Sequence, residues 1–287
     1  MILVIGSTGF LGFEICRQLR ERGEDVVALV RATSDAEKKA RLRAIGAETR
    51  VGDLRDDVSL RAACQGIDAV ISTANTLLSR ADGDTIEQTD RQGALSLVDI
   101  AVASGVRKFV YVSISGNVVV VSPFLDAKRE VEQRLIDSGI DYTILRPSCF
   151  MEVHLAPIAS GHVRVFGNGD APISWISLRD VAAFAVESLR NPAARNAVLE
   201  IGGAEALSHR EVVGMFEDVI GRPLAIDSVP LQAIEQQYAF ASDPVSKSFA
   251  ALALGSAQGD AIDMTETLQR IPIRLCSVRE FAGRVGG

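Results

Sequence analysis

The chain has 287 residues, and 30 Lys and Arg against 37 Asp and Glu give it a net charge of −7. With its positive charges spread out, it lacks the basic face that a nucleic acid or an anionic membrane surface would need. At 47% hydrophobic and 23% charged residues it is an ordinary globular composition, and the length predicts one large domain with a smaller appendage.

Cys16, Cys64, Cys149 and Cys276 lie far apart. They form no CxxC or Cys/His spacing, so neither a metal site nor a disulfide framework is expected. The opening MILVIGSTGF has no basic residue before its apolar run and reads as a first strand rather than a signal peptide. No apolar run reaches the length of a membrane span. These features predict a cytoplasmic protein.

Apolar runs at Ile2–Ile5, Val26–Val30, Glu48–Val51, Ala69–Ser72, 109–112 and 142–145 alternate with helical patterns over 9–22, 35–45, 57–64, 84–104 and 126–138. Repeated β-α units of this kind predict an α/β fold, a doubly wound parallel sheet with helices on both faces. Its strands read as continuous apolar runs because both faces are buried. Gly23, Gly46, Gly66, Gly105 and Gly139 each stand between a helix and the next strand, where a left-handed cap is wanted. After Pro147 the pattern changes. Turn formers crowd 161–172. Ser177-x-x-Asp180 and Ser208-x-x-Glu211 predict capping boxes, the first weaker because Glu is the usual partner. The run Ala197–Ile201 could extend the sheet. The expected division is a dinucleotide-binding Rossmann domain over 1–150, completed by strands within 173–201, and a smaller, interleaved C-terminal substrate domain over 151–287.

The first strand ends directly in Gly6-Ser7-Thr8-Gly9-Phe10-Leu11-Gly12, and a helix follows at once. A glycine at the strand exit permits the tight turn, the middle one lets backbone approach a pyrophosphate, and the last lets the helix pack closely. The helix N-terminus then presents N–H groups and partial positive charge to phosphates. Strand before, helix after and a second strand about twenty residues on make the motif specific.

NAD-selective sites place an acid at the end of the second strand to bond the ribose 2′-OH. Here that strand ends in Arg31. Its planar fork suits a 2′-phosphate, so the expected cofactor is NADP(H). Lys38, or less readily Lys39, could add charge. Asp53 and Leu54 follow the third strand; Asp53 could accept from the adenine amine or cap the helix near Asp57. Ser72, Thr73, Ala74 and Asn75 close the fourth strand with small residues against which a cofactor could lie.

Together, GSTGFLG, VALVR, VGDL, FVYVS, the lysine of FLDAK and YTILRPSCF resemble atypical short-chain dehydrogenase/reductases of the NmrA-like group. The likeness runs from Met1 to about Leu189. That group includes isoflavone-reductase-like enzymes, quinone reductases and NADP-sensing regulators without turnover. In the wider superfamily a Tyr-x-x-x-Lys pair moves the proton, the two side chains sharing one helix face. The matching residues here are Phe124 and Lys128, so the lysine is kept and the tyrosine is lost; phenylalanine has no proton to give. The resemblance implies Lys128 as ribose contact and acid/base candidate, against a surface lysine paired with Glu132. It implies Ser113, or Ser115 in a shifted register, as a polarising hydroxyl. It further implies Pro147 and Ser148 along the nicotinamide, and Phe150, Met151 and His154 at a pocket for a small apolar substrate. Tyr111, Tyr142 and Cys149 read as packing. The expected function is an NADPH-dependent reductase passing hydride to an electron-poor apolar acceptor such as a quinone, enone or conjugated aromatic. The rival is a non-catalytic NADP(H)-sensing or assembly protein. A homodimer is left open.

Overall fold

The computed structural model describes residues 1–77, 83–155, 157–158 and 161–285. In chain order its elements are β1 (Ile2–Ile5), α1 (Phe10–Glu21), β2 (Val26–Val30), α2 (Ala36–Ala44), β3 (Glu48–Val51), α3 (Asp57–Ala63) and β4 (Ala69–Ser72). A π-helical segment, Ile86–Gly93, runs into α4 (Ala94–Ala103); β5 (Lys108–Val112), α5 (Pro123–Asp137), β6 (Asp141–Pro147) and α6 (Met151–His154) follow. The remainder is β7 (His162–Phe166), α7 (Leu178–Glu187), β8 (Ala197–Ile201), α8 (His209–Ile220), β9 (Ala225–Val229), α9 (Leu231–Phe240), α10 (Pro244–Gln258), α11 (Thr265–Arg270) and α12 (Val278–Val285). No helix among the described residues is long and apolar enough to cross a membrane.

Seven strands form one sheet in the order β3-β2-β1-β4-β5-β6-β8. The pairs from β3 through β6 are parallel. The chain steps outward from β1 to β2 and β3, then returns to the other side of β1 with β4. A doubly wound sheet opens a crevice at such a reversal, outside the strand C-termini. This is the Rossmann architecture that the β-α alternation predicts. Every residue of β1, β2, β4 and β5 is buried, which is why those strands read as unbroken apolar runs. The five predicted cap glycines all have φ between 70° and 80°, a region open to glycine at little cost.

The chain forms two compact units. The first comprises Met1–Ser113, Asp126–Leu145 and Ala182–Leu199; the second comprises Ile114–Leu125, Arg146–Val181 and Glu200–Gly287. The first unit's core joins Leu3, Ile5, Leu29, Leu60, Leu97, Phe109 and Leu135, among others. On α1, Ile15 and Leu19 are wholly buried, each worth about 1.5–3 kcal/mol relative to exposure.

The second unit carries a separate core around Met151, Trp175, Val212, Phe216 and Phe281. It also holds a parallel two-stranded sheet of β7 and β9. The turn-rich stretch 161–172 therefore contains a strand that its glycines obscure, because β7 buries only alternate residues. Ser208 and Glu211 form the predicted capping box of α8. Ser177 and Asp180 do not form theirs. Glu152 reaches in from α6, accepting from Ser177 Oγ and the Leu178 N–H, while Asp180 accepts from the Cys276 N–H at 2.8 Å. Ser177 Oγ still caps α7, accepting from the Arg179 N–H at 3.1 Å; only the Asp180 half of the box is absent.

Candidate functional site

At the exit of β1, Gly6 has φ 81°. A Cβ there would lie 2.7 Å from Thr73 Oγ1 and 2.9 Å from the Ala74 nitrogen. The loop after β1 thus presses against the segment leaving β4, at the reversal of the sheet. A Cβ on Gly12 would lie 2.2 Å from the Gly6 carbonyl oxygen; the last glycine admits the loop's own backbone rather than the sheet. Gly9 caps α1 without a side-chain hydrogen bond. The N-terminus of α1 therefore keeps main-chain donors that a capping side chain would otherwise take. This cradle of backbone and helix dipole fits a dinucleotide pyrophosphate.

The loop side chains divide in role. Ser7 Oγ donates to the Leu29 carbonyl at 2.6 Å and is buried, so it anchors the loop to β2. Leu11 is buried, whereas Phe10 is 84% exposed. Thr8 is half-buried. Thr73 donates through both N–H and Oγ1 to the Ile5 carbonyl. Ser72 is buried in β4, Ala74 packs on the core, and Asn75 is half-buried. Leu54 lies in the core, and a Cβ on Gly93 would meet its carbonyl oxygen at 2.5 Å.

At the adjacent ends of β2 and β3 sits a cluster of four charges. Arg31 Nη1 donates to Asp84 Oδ2 at 2.5 Å, and Arg55 Nη1 lies 3.4 Å from Asp84 Oδ1. Asp53 takes Arg55 in a fork, Nε at 3.0 Å and Nη2 at 2.8 Å, and also accepts the Arg55 N–H. Those bonds hold the Asp53 carboxyl below its usual range, with Arg31 adding to the effect. Neither sequence reading of Asp53 describes this arrangement: the carboxylate is committed to Arg55, and Asp56 caps α3. Lys38 is exposed on α2, where Asp35 caps its N–H, and Lys39 Nζ reaches the Ala32 carbonyl at 3.0 Å. Sequence reasoning missed Asp84 and Arg55. Asp84 stood as the first residue of one long helix, but the helical segment begins at Ile86 with Thr85 as its cap.

A second group gathers at the end of β5. Lys128 is buried, with Nζ 3.3 Å from the Val112 carbonyl and 4.8 Å from the centre of the Tyr111 ring. Burial lowers its pKa, opposed by the charges of Asp90 and Glu132. Asp90 is buried too, accepting from the Thr76 N–H and hydroxyl. Burial raises its pKa, with Lys128 and Thr76 working the other way. Its burial rules out the surface reading of Lys128, and Glu132 takes Arg129 at 2.6 Å. Tyr111 is packed, as expected; burial pushes its phenol well above its usual value. Among the described residues Ser113 Oγ, which is buried, has no hydrogen-bond partner, and an unmet bond of this kind is costly. Asp90 had a signal in the sequence. It stands three, four and seven residues before Gly93, Ala94 and Leu97, an acid on a buried helix face. The helix α5 begins at Pro123, earlier than predicted, so Phe124 lies in its first turn, buried, with its N–H donating to Ser248 Oγ at 3.2 Å.

In the second unit Ser115 Oγ donates to Asp260 at 2.6 Å, which ties the serine down. The Ser148 N–H donates to the Ile201 carbonyl and the Pro147 carbonyl accepts from Ser115 N–H. These backbone groups extend strand pairing rather than standing open. Met151 is 0% exposed, inside the second core. It therefore cannot line a pocket, because the helix it starts turns its side chain inward. Phe150 is half-buried at the N-cap of α6. His154 is exposed and edge-on to Trp175. Cys149 packs on the same core, its thiol pushed up to about 12 by burial. Among the described residues no cluster of His, Cys, Asp or Glu could hold a metal ion.

Residues 1–269 match the NmrA-like family. Among curated relatives, the chain is 31% identical over 236 residues to a Photosystem II assembly factor Ycf39 of Trieres chinensis, covering 80% of this chain and 72% of that one. It is 32% identical over 245 residues to an NAD(P)H azoreductase of Xenophilus azovorans, covering 82% and 79%. Among solved structures it resembles an NADPH-dependent quinone oxidoreductase of Escherichia coli complexed with NADPH, at 22% identity and TM-score 0.80 with 100% of each chain covered.

Proposed function

The chain belongs to the NmrA-like family, and on that premise we propose that it is an NADP(H)-dependent reductase acting on an electron-poor apolar acceptor, a quinone, an enone or a conjugated aromatic. The observation that carries the reading is the burial of Lys128 at the strand C-termini of the same unit that holds the glycine cradle. With β4 between β1 and β5, two strand spacings, about 10 Å, separate their sheet positions. When bound, the reduced nicotinamide supplies the hydride.

The chain's own residues do the rest. The cradle and the α1 N-terminus hold the pyrophosphate, and Arg31 recognises the 2′-phosphate. Lys128 holds a ribose hydroxyl and supplies a proton. A lysine with a lowered pKa gives up its proton more readily at working pH. Ser113 Oγ offers the hydroxyl that polarises the acceptor. An acceptor that forms a stabilised anion leans less on a strong proton donor, which suits Phe124 in place of tyrosine.

The test is NADPH oxidation, followed by absorbance, over a panel of quinones and enones. Lys128→Met is expected to lower kcat by about a hundredfold, the scale of general acid catalysis, in protein that a thermal melt shows to be folded. The wild-type rate should fall as pH rises through a value below the ordinary lysine value of 10.5. Tight NADPH binding with no oxidation across the panel would favour a non-catalytic NADP(H)-sensing or assembly role. That second reading is supported by Phe124 and by the likeness to an assembly factor.

A further inference from the structure

The four charges at the ends of β2 and β3 have a sum that matters. Arg31 and Arg55 carry two positive charges, and Asp53 and Asp84 cancel them. Asp84 is only 2% exposed, while Arg31 and Arg55 are 31% and 32% exposed. One buried carboxylate therefore stands behind both guanidinium groups, and part of Arg31's fork is already spent on it. Its own desolvation is offset in part by its ion pairs with the two arginines.

We propose that this quartet sets how strongly the chain prefers a 2′-phosphorylated dinucleotide over one with a 2′-hydroxyl, and that Asp84 is the residue that holds the preference down. The proposal rests on the reading of Arg31 as the 2′-phosphate contact. A phosphate monoester brings about −1.5 to −2 charge. Arriving at Arg31, it meets a guanidinium already neutralised at 2.5 Å, with a like charge immediately behind. Like charges brought together oppose binding, whereas a neutral 2′-hydroxyl feels little of this. Asp53 acts in the same sense and more weakly, because it forks Arg55 and not Arg31.

Asparagine at position 84 keeps the shape and an oxygen that accepts from Arg31, and it removes the charge. Dissociation constants for NADPH and NADH, from titration of nucleotide fluorescence, test the idea with wild type, Asp84→Asn, Asp53→Asn and Arg31→Ala. In Asp84→Asn the NADPH constant should fall by about tenfold while that for NADH moves by less than about twofold, as a charge-assisted contact is strengthened for one ligand alone. The gain should shrink in high salt. Asp53→Asn, at a more exposed position, should give a gain of about threefold, and it decides the matter if Asp84→Asn does not fold. NADPH binding that is unchanged or weaker in the folded asparagine variants overturns the proposal, because the acids then anchor the arginines rather than oppose the phosphate. If Arg31→Ala loses NADPH selectively and neither asparagine variant gains, the quartet alone fails. If Arg31→Ala weakens both nucleotides equally, the assignment of Arg31 fails with it.

Discussion

In the first unit Lys128 and Asp90 are buried with opposite charges near the end of β5, Asp84 is buried behind two arginines, and the buried Ser113 hydroxyl has no partner among the described residues. In the second unit the buried carboxylates close the fold itself. Asp180 holds the Cys276 N–H, and Asp260 holds Ser115 and Asn117. Both units pay desolvation for burying polar groups. The second recovers it in bonds that tie loops and helix ends together. The first leaves charge and an unmet hydroxyl at the strand C-termini, where a doubly wound sheet binds its ligand.

The largest expected contrast comes from paired glycines. A Cβ on Gly12 would lie 2.2 Å from the Gly6 oxygen, and one on Gly203 would lie 1.7 Å from the Trp175 oxygen. Alanine at either position should cost on the order of 3 kcal/mol of stability through forced backbone movement. Only Gly12→Ala should also weaken NADPH binding, by roughly a hundredfold, because it moves the donors of the cradle. Thermal melts with NADPH titration separate the two effects, and an equal loss of binding in both variants would erase the distinction between the units.

A core truncation is next in size. Met151→Ala should destabilise by about 3 kcal/mol, as for other buried truncations, and leave the acceptor's KM unchanged. A raised KM with unaltered stability would return Met151 to the pocket from which its burial removes it.

The smallest effect is in acid. His209 is buried at the start of α8, edge-on to Trp175 at 5.0 Å. Burial, with His154 nearby, pushes its pKa down from 6.5 to about 4. The unfolded chain binds this proton below pH 6.5 and the folded chain resists it until about 4. Stability should therefore be level above pH 6.5 and fall as pH drops through that window. The loss is about 1.4 kcal/mol at pH 5.5 by proton linkage. Denaturant melts of His209→Phe should lack this slope; an unchanged slope would place the acid sensitivity elsewhere.

Much of the first unit was legible because its signals are local. Val26–Val30 is buried on both faces and reads as one apolar run; Gly6, Gly9 and Gly12 sit at a spacing that backbone geometry demands. Even β3 was legible, although it is an edge strand with no fully buried residue, because a cap glycine precedes it and VGDL follows. β7 was not. Its burial alternates, and the glycines around it resemble a plain turn. The long pattern over 84–104 concealed a π-helical segment whose wider turn has no distinct apolar period.

What the sequence determined by itself was the alternation of strand and helix, the phosphate cradle, and the arginine where an acid would mark the other cofactor. All are settled by neighbours within a few residues. Only the tertiary structure decided what those side chains meet. Asp84 reaches Arg31 across 53 residues, and Asp260 reaches Ser115 across 145. Such pairings depend on which strand ends the sheet order brings together, and no local pattern of hydrophobicity or turn chemistry encodes that order.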